Sequence, residues 1–137
     1  MFFNRKNNKD FNSYLIKIAA LLVHAAKIDE NYSDNEEEII KKTLIDLGAK
    51  PDVLENLMIN AKKIEEESNQ ILDFTKEIKS MDEKEKIKIV ESLWKIIFSN
   101  KDADMYETNL MRRLSGLLYI DSKTMGDIKE KIKNENP

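Results

Sequence analysis

Side chains that offer oxygen ligands cluster at two points of the sequence, each in a polar segment between two apolar runs. We call residues 29–36 the first corner and residues 100–107 the second corner. Carboxylate, amide and hydroxyl oxygens are the ligands that calcium and magnesium prefer in proteins. The pattern therefore predicts a divalent-cation site, for calcium or magnesium, at these corners. The candidate ligands are Asp29, Asn31, Ser33 and Glu36 at the first corner, and Asn100, Asp102, Asp104 and Glu107 at the second.

At each corner, oxygen ligands at every second position match the first half of an EF-hand calcium loop, but the residues at the positions of the second half do not match. The sixth position, which is normally glycine, is Asp34 or Met105. The twelfth position, which is normally a bidentate glutamate, is Ile40 or Met111. A cation site at either corner is therefore weak or built differently from an EF-hand.

Helix capping is a second interpretation of the same residues. Ser33 and Glu36 have the spacing of a capping box, in which the hydroxyl accepts from the glutamate amide and the carboxylate accepts from the serine amide. Asp104 and Glu107 stand in the same relation. Such caps stabilise a helix start by about 0.5 to 2 kcal/mol. A third interpretation, an acidic contact surface for a basic partner, is compatible with capping, so all three stay open.

Catalytic groups are scarce outside the corners. Cysteine is absent, which excludes disulfides, thiolate metal sites and cysteine nucleophiles. His24 is the only histidine, and its neighbours Lys17 and Lys27 on the helix edge predict a partly exposed structural role. We therefore expect a non-enzymatic interaction or ion-responsive module. The alternative is a metal-assisted hydrolase that uses four corner carboxylates as ligands and base. Those four are Asp29, Glu36, Asp102 and Glu107.

Length and charge restrict the classes of partner. A chain of 137 residues has the size of one domain. Charged residues make up 36% of it and the net charge is −3, so its mixed surface lacks the field that attracts nucleic acid. No apolar run reaches the ~20 residues of a membrane-spanning helix, and residues 1–6 do not resemble a signal peptide. We expect a cytoplasmic protein with a protein partner, and peripheral membrane association stays open.

Apolar residues recur at three- and four-residue steps along most of the chain, and no segment alternates with period two. The pattern predicts an all-α protein, a compact bundle of about seven helices. Residues 1–10 are predicted to be a flexible tail and residues 11–134 one domain. The predicted helices run from about 11 to 28, 34 to 47, 52 to 67, 71 to 78, 83 to 99 and 105 to 118, and from 121 or 122 onward.

Two helix-level predictions concern burial. The fifth helix is apolar around much of its circumference, so it is predicted to be the most buried element. The charged run Glu65, Glu66 and Glu67 is predicted to be the solvent-exposed end of helix three.

The sequence also contains a weak internal repeat. A shift of 71 positions aligns the first two helices and their corner with the fifth and sixth helices and theirs. The repeat predicts two helical hairpins that pack as a pseudo-twofold pair. The identical pairs are Ile18 and Ile89, Leu22 and Leu93, Glu36 and Glu107, and Leu47 and Leu118.

Two segments resemble the signatures of the tellurite-resistance TerB-like proteins, in particular their small stand-alone branch. The run 21–29, LLVHAAKID, which continues to Glu36, is similar to the first signature: an apolar helix, an Ala-Asp-Gly corner and a glutamate seven residues after the aspartate. The run 98–118, which includes YE at 106–107 and LMRR at 110–113, is similar to the second. With Leu93 and Trp94, the resemblance spans most of the chain.

The resemblance assigns the acidic pairs position by position. Asp29 and Glu36 match the first pair, and Glu107 matches the glutamate of the second, where Asn100 replaces the usual aspartate. The resemblance implies an all-helical cytoplasmic domain linked to tellurite and other stress responses, through metal ions or protein complexes.

This chain also departs from the family pattern at the corner glycines. Glu30 and Lys101 replace them, which requires a less compact backbone path at each corner.

Overall fold

Seven α-helices form the protein in the residues that the computed structural model describes: 8–27, 33–68, 71–99 and 105–135, with the backbone alone in 8–11 and 105–108. No strand occurs in these ranges, so the predicted all-α class is confirmed. The helices are α1 (Asn8–Lys27), α2 (Asp34–Asp46), α3 (Leu54–Glu67), α4 (Leu72–Thr75), α5 (Glu83–Ser99), α6 (Met105–Leu117) and α7 (Ser122–Glu135), and 3-10 turns lie at Pro51–Val53 and Ile78–Ser80.

Helix α1 lies at the centre of the bundle and packs against α2, α3, α4 and α5. Its small alanines let these neighbours approach closely, and its larger apolar residues are buried among them. Helix α5, which was predicted to be the most buried element, packs against α1, α2 and α7, and its Ile87 and Phe98 are only partly buried. The buried residues of α1 are Leu15, Ile18, Ala19, Ala20, Leu21, Leu22, Val23, Ala25 and Ala26.

A left-handed glycine ends α2. Gly48 has a φ of 112°. Its amide donates to Ile45 O at 3.0 Å and the Ala49 amide donates to Leu44 O at 2.9 Å, which is the hydrogen-bond pattern of a Schellman motif. Pro51 then opens a 3-10 turn that leads into α3, because proline fits a first helical turn.

The same motif ends α6, with tyrosine in place of glycine. The amide of Tyr119 donates to Gly116 O at 3.3 Å and that of Ile120 donates to Ser115 O at 2.9 Å. Tyr119 has a φ of 57°, and among the described residues it is the one non-glycine residue with positive φ. Asp121 then caps α7 by accepting the Thr124 amide at 2.7 Å, a hydrogen bond that lowers the pKa of the Asp121 carboxyl.

The internal repeat is visible in the structure, because equivalent positions are buried and the equivalent helices α2 and α6 end in the same motif. It also extends further than the two predicted hairpins, because the same shift aligns α3 with α7. Helix α3 packs on α1 as α7 packs on α5. The aligned pairs with both members buried include Ile18 and Ile89, Leu22 and Leu93, Ile40 and Met111, Leu57 and Ile128, and Ala61 and Ile132.

The predicted boundaries hold with small differences. Residues 8–10, which were assigned to the tail, begin α1, and residues 1–7 lie outside the described ranges. Helix three starts at Leu54 because the turn at Pro51–Val53 precedes it. Within the described ranges, no helix has both the length and the apolar character needed to cross a lipid bilayer.

Candidate functional site

The predicted capping box at the first corner is confirmed. Ser33 has an extended backbone, with φ −100° and ψ 163°, and its Oγ accepts from the Glu36 amide at 3.1 Å. In return, the Ser33 amide donates to Glu36 Oε1 at 2.8 Å and the Ser33 hydroxyl donates to the same oxygen at 3.1 Å. These bonds satisfy amides that have no partner within the helix and fix the first turn of α2.

Glu36 is the buried acid of this corner, since only 3% of its surface is exposed. Two donors of Ser33 bind one oxygen of this carboxylate at the start of α2. The carboxylate therefore stabilises the start of α2 even without a ligand. A ligand that used Glu36 would act directly on the start of α2.

The other predicted ligands are not brought to this pair by the described structure. Asp29, Asn31, Asn100, Asp102 and Asp104 lie outside the described ranges, and Glu107 lies in α6 where only the backbone is described. Among the described residues, no group of three or more His, Cys, Asp or Glu side chains could hold a metal ion. The cation site stays a prediction, and so does the second capping box at Asp104 and Glu107.

Sequence reasoning missed a cluster beside the first corner. The Glu65 side chain is 9% exposed; His24 Nδ1 lies 3.1 Å from its Oε2, and Lys27 Nζ lies 2.7 Å from its Oε1. The prediction of a solvent-exposed end is wrong for Glu65, whereas Glu66 and Glu67 are exposed as predicted. His24, at 36% side-chain exposure, is partly exposed as predicted.

The helical spacing does contain the signal for Glu65. Leu57, Met58 and Ala61 are buried in α3, and Glu65 follows Ala61 by one helical turn. The carboxylate thus falls on the face that meets α1, where Lys27 compensates its charge and His24 Nδ1 lies within hydrogen-bonding distance. The cluster therefore connects the last turn of α1 to the last turn of α3.

A second charged cluster ties α2 to α3. Lys41 Nζ lies 2.7 Å from Glu55 Oε1 and 3.4 Å from Glu37 Oε2. The hydrogen bond to Glu55 is the main cause of a raised pKa at Lys41, with Glu37 contributing in the same direction and desolvation opposing both. Lys62 Nζ binds the other Glu37 oxygen at 2.6 Å. By contrast, Arg112 and Arg113, which the 71-residue shift aligns with Lys41 and Lys42, are exposed.

Two clefts of the described residues lie away from Glu36. A cleft of about 230 Å³ lies at the opposite end of α2, where Leu47 meets Leu15 of α1 and Met81 before α5. Its lining is mainly apolar, and neither Ser33 nor Glu36 contributes to it. The described part of the first corner, residues 33–36, has the geometry of a capped helix start.

Fold and corner together define a class: an all-α domain with an internal repeat and a capped acidic turn after its central helix. The sequence model of tellurite resistance protein TerB matches residues 15–130 of the chain. The chain therefore belongs to the TerB family, and the resemblance seen in the sequence is confirmed. Comparison with curated proteins and with solved structures gave no match.

Proposed function

We propose that this chain is a non-enzymatic, ion-responsive binding module of the tellurite resistance family, and that a divalent cation such as calcium or magnesium binds at its acidic corners. The observation that carries the proposal is the buried carboxylate of Glu36, which holds the first turn of α2. In the chain it directly follows the predicted ligands Asp29, Asn31 and Ser33. Family membership supports the link to tellurite resistance.

Capping and cation binding can share this carboxylate. An ionised carboxylate has about four lone-pair sites, so one carboxylate can accept several hydrogen bonds and also ligate a cation. A cation bound through the same carboxylate would hold the first turn of α2 more firmly, so cation binding would stabilise the helix. A ligand at 100 times its Kd stabilises a fold by about 2.7 kcal/mol, which is readily measured.

The test is a melting temperature recorded while calcium, magnesium, manganese and zinc are each titrated into the protein. We expect a saturable rise with calcium or magnesium, and a smaller rise in Asp29→Asn and Glu36→Gln. Glutamine can replace glutamate in a capping box, so Glu36→Gln removes the charge and retains the cap. Asp46→Asn is the matched control, because Asp46 is an exposed acid at the other end of α2. Flat curves with all four cations would refute the ion-responsive function.

The enzymatic alternative, a metal-assisted hydrolase, ranks behind this proposal. It requires the carboxylates of Asp29, Glu36, Asp102 and Glu107 to converge as ligands and base. Glu36 accepts hydrogen bonds from both donors of Ser33. These bonds already engage the carboxylate in the helix cap, so a role as general base would compete with capping. Manganese-dependent hydrolysis of a phosphate or carboxylate ester that disappears in Glu36→Gln would reverse this ranking.

We also propose a protein partner and a cytoplasmic location. A groove of about 480 Å³ between α2 and the start of α3 supports the partner, because Ile39, Leu54 and the 38% exposed Ile45 line it. Charged residues that include Glu38 and Lys42 line the same groove. Pull-downs from soluble and membrane fractions test both proposals: Ile45→Glu should lose the captured protein, whereas Ile59→Glu, on an exposed residue of α3, should keep it.

A further inference from the structure

The cleft of about 230 Å³ at the end of α2 opens onto the hydrophobic core. Leu15, Ile18 and Leu47 line it, and none of them is more than 9% exposed. Tyr14 and Met81 also line it and are only partly buried. An engineered apolar cavity of about 150 Å³ holds a benzene molecule, so this cleft has room for one aromatic ring.

Two carboxylates line the same cleft. Asp82 directly precedes α5, and Glu85 lies in the first turn of that helix, where acids also complement the helix dipole. Within the ranges that the structure describes, no lysine or arginine forms an ion pair with either acid. The cleft therefore suits a segment that combines an apolar side chain with basic residues.

This chain carries such a segment next to the cleft in sequence. Residues 1–7, which we call the leading segment, precede α1. They contain Phe2 and Phe3 and, shortly after them, the cations Arg5 and Lys6. Aromatic side chains and positive charges are the two features that the apolar lining and the two carboxylates complement.

The leading segment is also long enough to reach the cleft. Helix α1 begins at Asn8, and Tyr14 in the cleft is six residues further on, which is about 9 Å along a helix. Phe2 precedes Asn8 by six residues, and an extended chain of that length spans up to about 20 Å. About half of this length remains for the chain to reverse its direction.

We propose that the leading segment binds in this cleft of its own chain. One phenylalanine ring lies against Leu15 and Leu47, which removes apolar surface of both from water. The basic side chains lie near Asp82 and Glu85. Because the segment is covalently attached, its effective concentration at the cleft is high. It therefore acts as an intramolecular ligand, and another ligand reaches the cleft only by displacing it.

A spin label on the leading segment tests this contact in the full chain. Cysteine is absent from the sequence, so Asn4→Cys provides one attachment point for a nitroxide, which broadens the NMR signals of nearby amides. We expect broadening at the amides of Leu47 and Met81, which line the cleft and are remote from position 4 in sequence. Unbroadened signals there, as the flexible tail predicted from the sequence would give, would overturn the proposal.

The matched control carries the same label together with Phe2→Ser and Phe3→Ser. Docking through an aromatic ring requires the broadening at Leu47 and Met81 to be lost in this control. Equal broadening with and without the two rings would mean that the label is near the cleft only because α1 begins nearby, which would also overturn the proposal.

Variants of the two acids test the electrostatic part. Asp82→Asn combined with Glu85→Gln should lower the docking equilibrium constant about two- to fivefold, as expected for two exposed ion pairs. Glu83→Gln is the matched control, because Glu83 is an exposed acid of the same turn that does not line the cleft. Equal docking in the double variant and the wild type would overturn the pairing of the basic side chains with these acids.

A mixed sample separates the chain's own segment from that of a second copy. Spin-labelled chains without ¹⁵N are mixed with unlabelled ¹⁵N chains, so that only contacts between copies broaden the observed signals. We expect no broadening at Leu47 or Met81 in this sample. Broadening there would assign the cleft to the segment of a second copy and overturn the intramolecular contact. The cation proposal is independent of these results, since it rests on the first corner at the other end of α2.

Discussion

Individual residues decide how the helices of this protein begin and end. Gly48 ends α2 in the left-handed region, where a Cβ would meet the following carbonyl oxygen. Tyr119 tolerates the same conformation at the end of α6. The strain at Tyr119 is therefore part of the cost of the native state, and the glycine at position 48 avoids it.

Substitution of Gly48 by alanine should lower the free energy of unfolding by about 1 kcal/mol, because alanine carries the Cβ penalty at positive φ. The matched control is Gly126→Ala in α7, where an added Cβ has nothing within 4 Å. There alanine should raise the free energy of unfolding by about 0.5 to 1 kcal/mol, since glycine is a poor helix former. Urea unfolding measures both, and a loss of stability at position 126 as large as that at 48 would contradict the argument.

Sequence reasoning succeeds at the residue scale where the interaction is local. The cap at Ser33 and the turn at Gly48 depend on neighbours within five positions, so their spacing is visible in the sequence. It fails for Tyr119, because a left-handed backbone is normally predicted at glycine and not at tyrosine. It also fails for Glu65, whose partners His24 and Lys27 come from another helix.

At the scale of elements, the amphipathic pattern identifies the helices but not their neighbours. Both α1 and α5 are strongly apolar, and both are largely buried. The four buried alanines of α1 permit close packing on several sides at once, which the apolar pattern of the sequence does not show. The hydrophobic content of a helix does not by itself predict how closely neighbouring helices can pack against it.

The contact of α3 with the end of α1 gives a prediction at this scale. Glu65→Ala removes a nearly buried carboxylate that binds His24 and Lys27. It should lower the free energy of unfolding by about 1 to 2 kcal/mol, as expected for hydrogen bonds to a charged group. Glu66→Ala, at the exposed next position, should change it by less than about 0.5 kcal/mol. Thermal unfolding compares the two variants, and equal effects would mean that Glu65 is as dispensable as its neighbour.

For the whole molecule, the sequence predicts the all-α class and the family, since both depend on patterns spread over most of the chain. The 71-residue shift was visible as a few identities, but its extension to α3 and α7 became clear only from burial. The two halves of the repeat also depend on each other. Helix α5 of the second half packs against α1 and α2 of the first, and the hydroxyls of Thr43 and Ser92 form a buried hydrogen bond between α2 and α5.

This mutual packing predicts that the chain unfolds as one cooperative unit. Leu22 is fully buried in α1, so Leu22→Ala should lower the free energy of unfolding by about 2 to 5 kcal/mol. Trp94, the single tryptophan, lies in the second half, where it stacks on Phe98 with 5.6 Å between ring centroids. Its fluorescence therefore reports the half that does not carry the mutation, while far-UV circular dichroism reports all helices.

Because α1 supports α5 directly, we expect the fluorescence and dichroism midpoints in urea to coincide and to fall together in Leu22→Ala. The repeat-equivalent variant Leu93→Ala, which is also fully buried, serves as the control from within the second half and should behave alike. If Trp94 fluorescence kept the wild-type midpoint in Leu22→Ala, the second half would be folding without the first. The repeat would then consist of two separately stable units. A shared transition would mean instead that the central helix α1 contributes to the hydrophobic core of both halves.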